Sequence, residues 1–337
     1  MTKLHLALCL ALLAACTSTP RRFEYEEPHM GTTFRLVLYA LTRAQADRAA
    51  RAAFARVEAL NGVFSDYDAT SELSRLSATA GRGPRAVSAE LGRVLRAAQE
   101  LARLTGGAFD VTVGPYVRLW RRSARQGELP GAERLAGAAR AVGFERLRLD
   151  PAHGTAELLA PGMRLDLGGI AKGATLDLVL EELARHGIRR ALVDGGGDLR
   201  LGAPPPRRSR WRVTVEGDDQ MRLELAHCAV ATSGMSARSV VIAGERYSHI
   251  IDPSTGLGST RRAQATVVAP DALRADALAT ALCIMDAREG LALIESLAGI
   301  EARVVVSCDG EPVTCDSSGF EGTILLRPPR SEPEPLL

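Results

Sequence analysis

Hydrophobic and polar positions divide this chain into many short strands and a few amphipathic helices. From Thr33 to Ala40 polar and apolar side chains nearly alternate, the period-two pattern of a strand with one buried face. Ala46, Ala49, Ala53, Val57 and Leu60 recur at helical spacing, with Asn61-Gly62 as the expected stop. Ser88 is placed to cap a second helix whose apolar face is Leu91, Val94, Leu95, Ala98 and Leu101, closed by Gly106-Gly107. A loop and a small helix are predicted over 121–141, with short strands near 144–149, 155–159 and 163–166. A helix from Ala171 to His186 ends at Gly187. Strands follow near 190–194, 198–201, 211–215, 221–225 and 239–243, and Arg207 to Arg210, after three prolines, reads as a solvated loop. Strand 264–268 precedes helices over 272–285 and 288–298, and strands near 302–306 and 322–326 finish the domain. Strands and helices come in clusters rather than in βαβ alternation, which argues for an α+β fold over a doubly wound sheet.

Composition places the chain among ordinary globular proteins, with 46% hydrophobic and 24% charged residues. A formal net charge of +2 lacks the positive field that nonspecific nucleic-acid binding needs. Of the 42 basic residues only Lys3 and Lys172 are lysines. Lys3 opens an apolar run, Leu4 to Leu13, that has a secretory signal pattern and is too short to span a bilayer. The run ends in Leu13-Ala14-Ala15-Cys16, which looks like a bacterial lipobox. The expected organisation is a signal peptide over 1–15, lipidation at Cys16, a polar tether over 16–28, one domain over 29–326 and a disordered tail over 327–337. Such a protein sits on the extracytoplasmic face of a cell membrane, inner or outer. Cys228, Cys283, Cys308 and Cys315 then remain in the mature chain. Cys308 and Cys315 flank an Asp309-Gly310 turn and form the candidate disulfide pair, and the spacing fits no zinc pattern.

Five stretches have the residue types for chemistry. In Asp166-Leu167-Gly168-Gly169-Ile170-Ala171-Lys172-Gly173 a strand ends, two glycines free the backbone and a helix begins, which offers amides to phosphate. It is neither a Walker loop nor the spaced-glycine dinucleotide fingerprint, and taken alone it reads better as a tight strand-to-helix turn. Asp276 and Thr280 share a helix face, and their hard oxygens suit Mg²⁺. Tyr247-Ser248-His249-Ile250-Ile251-Asp252-Pro253 carries the best-placed general base of six histidines. Gly106-Gly107-Ala108-Phe109-Asp110 and Asp194-Gly195-Gly196-Gly197-Asp198 read as turns that let a flat ligand lie against backbone.

The order of these motifs is more specific than any one of them. Met30-Gly31-Thr32, Gly107 to Asp110, Asp166 to Gly173, Gly195 to Asp198, Thr232-Ser233-Gly234, Ser248 to Pro253 and Ala275 to Thr280 together resemble the FAD:protein FMN transferases, the ApbE-like family once labelled thiamine-biosynthesis lipoproteins. The resemblance implies a single large domain of T-fold-like antiparallel sheets with packed helices. It implies Mg²⁺-dependent transfer of FMN from FAD to a Thr or Ser hydroxyl of an acceptor protein, a subunit of a membrane electron-transport complex, with release of AMP. Carried over by position, flavin and adenine contacts fall on Met30, Tyr67, Ala108, Phe109, Asp110, Asp166, Lys172 and Ile250. Metal contacts fall on Gly169, Asp276, Ala279 and Thr280, with Gly169 and Ala279 contributing backbone oxygen. His249 would be the base for the acceptor hydroxyl, and Asp252 would orient it or complete the metal site. Ser254 and Gly258, and Met235-Ser236, depart from the family pattern at positions that would shape the acceptor surface. Two alternatives keep parts of this reading: an FAD pyrophosphatase with water as acceptor, and a non-catalytic FAD-binding lipoprotein.

Overall fold

The longest continuous element is an eight-stranded sheet in the order β1-β2-β6-β7-β10-β15-β16-β17, with every neighbouring pair antiparallel. A computed structural model of the chain describes residues 19–215, 218–234, 239–308 and 311–323. The signal sequence, Cys16, Met235-Ser236 and the tail from Arg327 lie outside the described residues. Among the described residues no helix is long and apolar enough to cross a membrane. The fold is α+β.

The alternation seen in the sequence becomes β2 (Thr32–Ala40), whose Phe34, Leu36 and Leu38 are fully buried. It pairs on one side with β1 (Arg21–His29) and on the other with β6 (Ala191–Gly195). Residues 21–28, expected as tether, are therefore part of the sheet, and the domain starts at Arg21. The tether reading failed because β1 is an edge strand whose side chains are mostly exposed, so its alternation is limited to Phe23 and Tyr25 among charged residues. β7 (Asp198–Leu201), β10 (Ala229–Gly234), β15 (Ala263–Ala269), β16 (Glu301–Cys308) and β17 (Glu311–Asp316) continue the sheet. The last hairpin uses 311–316, not 322–326, as its second strand, and residues 320–323 form a short 3₁₀ turn. Its register sets Cys308 opposite Glu311 and Cys315 opposite Val304. Four residues of strand, about 13 Å, separate the two cysteines, so the candidate disulfide is not formed. Cys228, Cys283 and Cys315 are free thiols.

One sheet face is covered by α1 (Arg43–Phe64), α6 (Ala171–Arg185) and α7 (Ala272–Leu282). The predicted stop at Asn61-Gly62 is overrun because Phe64, a turn further on, is buried and holds the helix to the core. Ser88 accepts from the Leu91 amide at 3.2 Å and caps α3 (Ala89–Leu104), with the expected apolar face inward. The other sheet face is covered by the hairpin β8 (Trp211–Val215) and β9 (Asp218–Leu225), through Trp211, Val213 and Leu223 against Val37, Leu199 and Val230. The small sheet β3 (Arg85–Ala86), β5 (Thr155–Leu158) and β4 (Leu147–Asp150), with α2 (Glu72–Ser77), completes this part of the domain. Residues 163–166 form only an isolated bridge between Arg164 and Val113. Over 121–141 the expected loop and small helix are two helices, α4 (Gly114–Gln126) and α5 (Ala132–Ala139). Pro115 in the first turn of α4 sets the helical φ. α4 packs Tyr116 and Trp120 on the hairpins β11 (Ser239–Ile242)–β12 (Glu245–Ser248) and β13 (Ile251–Asp252)–β14 (Leu257–Gly258). α7 ends at Leu282, three residues short of the expected length, and α8 (Ala287–Glu295) follows.

Helices α6 and α7 cross so closely that only glycine fits at 173, where a Cβ would lie 2.1 Å from the Ala272 carbonyl oxygen. Each helix caps the other. Asp177 on α6 accepts from the Ala272 and Leu273 amides at 3.0 Å each, and Asp276 on α7 accepts from the Gly173 amide at 3.0 Å. Gly173→Ala is expected to cost at least about 1–3 kcal/mol in urea unfolding, as overpacking does. Gly62→Ala, on a helix and with open space around it, is expected to stabilise by about 0.5–1 kcal/mol. Equal effects of the two would remove the argument for steric exclusion at the crossing.

Candidate active site

Three hairpin and helix ends meet at one edge of the large sheet. His29 pairs with Thr32 across Met30-Gly31, and Gly195 pairs with Asp198 across Gly196-Gly197. All four turn residues have positive φ, from 49° to 93°, as two-residue turns with the twist of a hairpin require. Met30, the one non-glycine, is held by a contact of 3.6 Å from the Thr175 hydroxyl to its sulfur. The same edge carries the end of β10 at Ser233-Gly234, and Asp198 ties it in by accepting from the Thr232 amide at 3.1 Å.

The start of α6 and the middle of α7 supply the charged groups. Lys172 donates to Asp198, which is almost fully buried. Asp276 is buried on the neighbouring helix, close enough to Lys172 and Asp198 for their charges to act on its carboxyl. Burial raises the Asp276 pKa to about 7, with Lys172 opposing and Asp198 adding to the rise. Burial likewise holds the Asp198 carboxyl above its ordinary range, against the pull of Lys172.

Oxygen donors gather beside Asp276. A Cβ on Gly169 would lie 2.9 Å from the Thr280 hydroxyl oxygen, so the loop before α6 touches that side chain. The Ser233 hydroxyl is 3.4 Å from the same oxygen. The Gly173 amide goes to Asp276 instead of the Gly169 carbonyl, and the Cys283 amide goes to Thr280 O at 3.3 Å instead of the Ala279 carbonyl. Among the described residues, the Gly169 and Ala279 carbonyls are thus both left out of their helix ladders. The Asp276 carboxylate and the Thr280 hydroxyl, with the Gly169 loop lying against Thr280, are hard oxygen donors of the kind that suits a cation such as Mg²⁺. Among the described residues no cluster of three or more His, Cys, Asp or Glu side chains marks a metal site.

A second group lies around Asp166. Its Oδ1 accepts from the Gly168 amide at 2.8 Å, and its Oδ2 pairs with Arg121 at 3.2 Å. Arg121 also donates to Asp66 at 2.6 Å and stands 4.0 Å over the Tyr67 ring, which is 79% exposed. Burial and the nearby Asp66 raise the Asp166 carboxyl, against the Gly168 amide and Arg121. Asp166 also reaches the Gly107–Asp110 turn, because its amide donates to the Val111 carbonyl at 2.8 Å. There Phe109 is buried with its amide on the Thr105 hydroxyl, Ala108 is half-buried, and Asp110 accepts from the Thr112 amide and hydroxyl at 2.7 Å each. Burial raises the Asp110 carboxyl, with the Thr112 bonds opposing.

His249 is exposed between buried Ser248 and Ile250, and Ile250 packs into the main core. Asp252 spends its Oδ1 on the Ser254 amide and hydroxyl, at 2.8 and 2.6 Å, which builds the turn before Gly256. Thus Gly169 touches Thr280, Asp276 stands one turn before Thr280 on α7 with the Lys172 charge acting on it, and Asp166 is tied to the Asp110 turn through the Val111 carbonyl.

A model of the ApbE family matches residues 30–304. This chain belongs to the ApbE family. An FAD:protein FMN transferase of Vibrio cholerae is 34% identical over 297 residues, covering 85% of this chain and 88% of that protein. One from Haemophilus influenzae is 30% identical over 335 residues, covering 94% and 96%. Among solved structures, the flavin transferase ApbE of Vibrio cholerae superposes with a TM-score of 0.79 at 32% identity, covering 90% of this chain and 99% of that one. The ApbE protein of Thermotoga maritima does so with a TM-score of 0.79 at 30% identity over the same shares.

Within this ApbE-family fold, three site residues escaped the sequence-based assignment. Asp198 was visible only as the end of a glycine run, and its pairing with Lys172 needs the β6–β7 turn. Ser233 needs the β10 edge, and Arg121 sits in a stretch read as loop. The Asp276 carboxyl yields a test. Its folded pKa of about 7 exceeds the ordinary 3.8, so its ionisation weakens the folded state. The stability carried by the protonated carboxyl is fully present below pH 3.8 and is lost as pH rises through about 7. In EDTA, the stability of Asp276→Asn relative to the parent chain should therefore rise between pH 4.5 and pH 8 in urea titrations. A difference that is flat with pH would mean that Asp276 is not held protonated.

Proposed function

We propose that this chain is a Mg²⁺-dependent FAD:protein FMN transferase. The acceptor is a Thr or Ser hydroxyl of a second protein, and AMP is released. The observation that carries the reading is the packing of Gly169, in the loop before α6, on Thr280, one turn from Asp276 on α7, which itself accepts from the start of α6 and feels the charge of Lys172. The relatives' names support the same chemistry.

In this reading the acceptor oxygen attacks the phosphorus on the FMN side of the FAD pyrophosphate. The P–O bond to the AMP half breaks, and AMP leaves with the bridging oxygen. A cation held by Asp276, Thr280 and the Gly169 and Ala279 carbonyls would neutralise charge on the pyrophosphate. Lys172 adds a compact positive charge to the same place, and Asp198 holds its ammonium group. Asp166 and Asp110 offer acceptors to the adenine amine or a ribose hydroxyl, and Tyr67 and Met30 offer apolar surface to the flavin. His249, exposed and reachable by a second protein, takes the proton of the acceptor hydroxyl. A membrane electron-transport subunit as acceptor, and a lipid anchor at Cys16, are supported by the sequence resemblance.

The chain incubated with FAD, Mg²⁺ and an acceptor fragment should release AMP and give a protein band with flavin fluorescence. AMP with free FMN and no fluorescent band would establish a pyrophosphatase, and no AMP would sink both enzymatic readings. Asp276→Ala should lower turnover by more than about a hundredfold, the scale of losing a charge-stabilising group. Lys172→Arg should also fail to support full transfer, because a planar guanidinium cannot replace an ammonium set against a buried Asp198. Normal FAD binding and transfer by that variant would show that the two-lysine composition carries no functional information.

A further inference from the structure

Helix α4 joins the two halves of the site. In its first turn, Tyr116 lies under Gly256, where a Cβ would meet the ring at 2.6 Å. Trp120 lies under Gly258, where a Cβ would also meet the ring at 2.6 Å. These contacts seat α4 against the segment that follows His249. The next residue, Arg121, turns the other way and grips the opposite half. Its two terminal nitrogens donate to Asp66 at 2.6 Å and to Asp166 at 3.2 Å. Its guanidinium carbon stands 4.0 Å from the centre of the Tyr67 ring.

The loop that carries Tyr67 is tied at other points. Arg164 donates to the Asp66 carbonyl at 2.8 Å, and the Ser65 hydroxyl accepts from the Tyr67 and Asp68 amides at 3.2 Å each. The backbone is therefore held, and the Tyr67 side chain is the exposed part. One ring face is covered by Arg121 and the ring is 79% exposed, so a second face is open to a flat ligand. Holding a ring and a carboxylate in place before a ligand binds removes an ordering cost from binding. A guanidinium suits this because its planar fork meets two carboxylates while its face stacks on an aromatic ring.

We propose that Arg121 is a positioning residue for FAD, fixing the Tyr67 ring and the Asp166 carboxylate as one preformed ligand-binding unit. This rests on the transferase reading above. The test is FAD affinity of the full chain in Mg²⁺, measured by quenching of flavin fluorescence, alongside turnover at saturating FAD. Arg121→Met should weaken FAD binding about tenfold, the scale of a desolvated cation–π contact with a paired carboxylate. Turnover at saturating FAD should stay within about threefold, because Arg121 touches neither the proposed metal ligands nor His249 in this role. Arg121→Lys keeps the charge but not the fork, and should lose about threefold in affinity. In a Tyr67→Ala background, Arg121→Met should cost less than about threefold, because the ring it holds is gone. Unchanged or tighter FAD binding by Arg121→Met would overturn the inference, and so would equal losses with and without Tyr67. A parent chain that binds no FAD would remove the transferase reading itself, an outcome distinct from a parent that binds FAD and an Arg121→Met variant that binds it equally.

Discussion

The site depends on the crossing of α6 and α7, where two buried carboxylates exchange caps. Asp177 satisfies the first amides of α7, and Asp276 satisfies an amide in the first turn of α6. A helix N-terminus carries partial positive charge, so each carboxylate is stabilised by the helix it caps. The close approach is permitted by Gly173 alone, and it brings Asp276 within reach of Lys172 and Asp198. Arg200 then binds Asp177 at 2.7 Å and reaches the Cys228 carbonyl at 3.0 Å, which locks the pair of helices to β7 and the strand entering β10.

The two caps have different fates. Asp177 is fully used: two amides and Arg200 occupy its oxygens. Asp276 has one protein amide among the described residues, and its carboxyl is the more strongly raised by burial. A purely structural cap would resemble Asp177. The unequal satisfaction of two carboxylates that play the same geometric part leaves Asp276, and not Asp177, with oxygen to offer a ligand in the proposed reaction.

Much of the frame was legible because local signals agreed with the tertiary result. Ser88 capped its helix, Gly187 ended α6, and the 33–40 alternation became a half-buried strand. Motifs on one element, such as Asp276 and Thr280, were also readable, because their relation is set by the helix period. The failures share a physical cause. β1 is an edge strand whose alternation is only Phe23 and Tyr25, α1 runs past Gly62 because Phe64 finds the core, and the cysteine pairing depended on a register that turn residues alone do not set. Asp198 and Arg121 were missed because their partners lie 26 and 45 residues away in the chain and meet them only after folding. Pairs at that distance leave no period in the sequence.

The lysine at 172 links composition to these geometries. Arginine meets nearly every need for positive charge in this chain, including the fork at Asp66 and Asp166 and the cap at Asp177. Those sites reward a planar, multiply donating cation. The cleft between Asp198 and Asp276 differs: both carboxylates are buried, they repel one another, and the space beside them is bounded by the α6–α7 crossing. A small cation on a flexible stem can sit between such groups and move aside when a second cation enters, whereas a guanidinium would fill the space. Burying two like charges around one ammonium group destabilises the ligand-free fold, since the carboxylates are held above their ordinary range. Folds keep such arrangements where the cost is recovered on binding. In the proposed reaction, binding a divalent cation and a pyrophosphate would offset that cost.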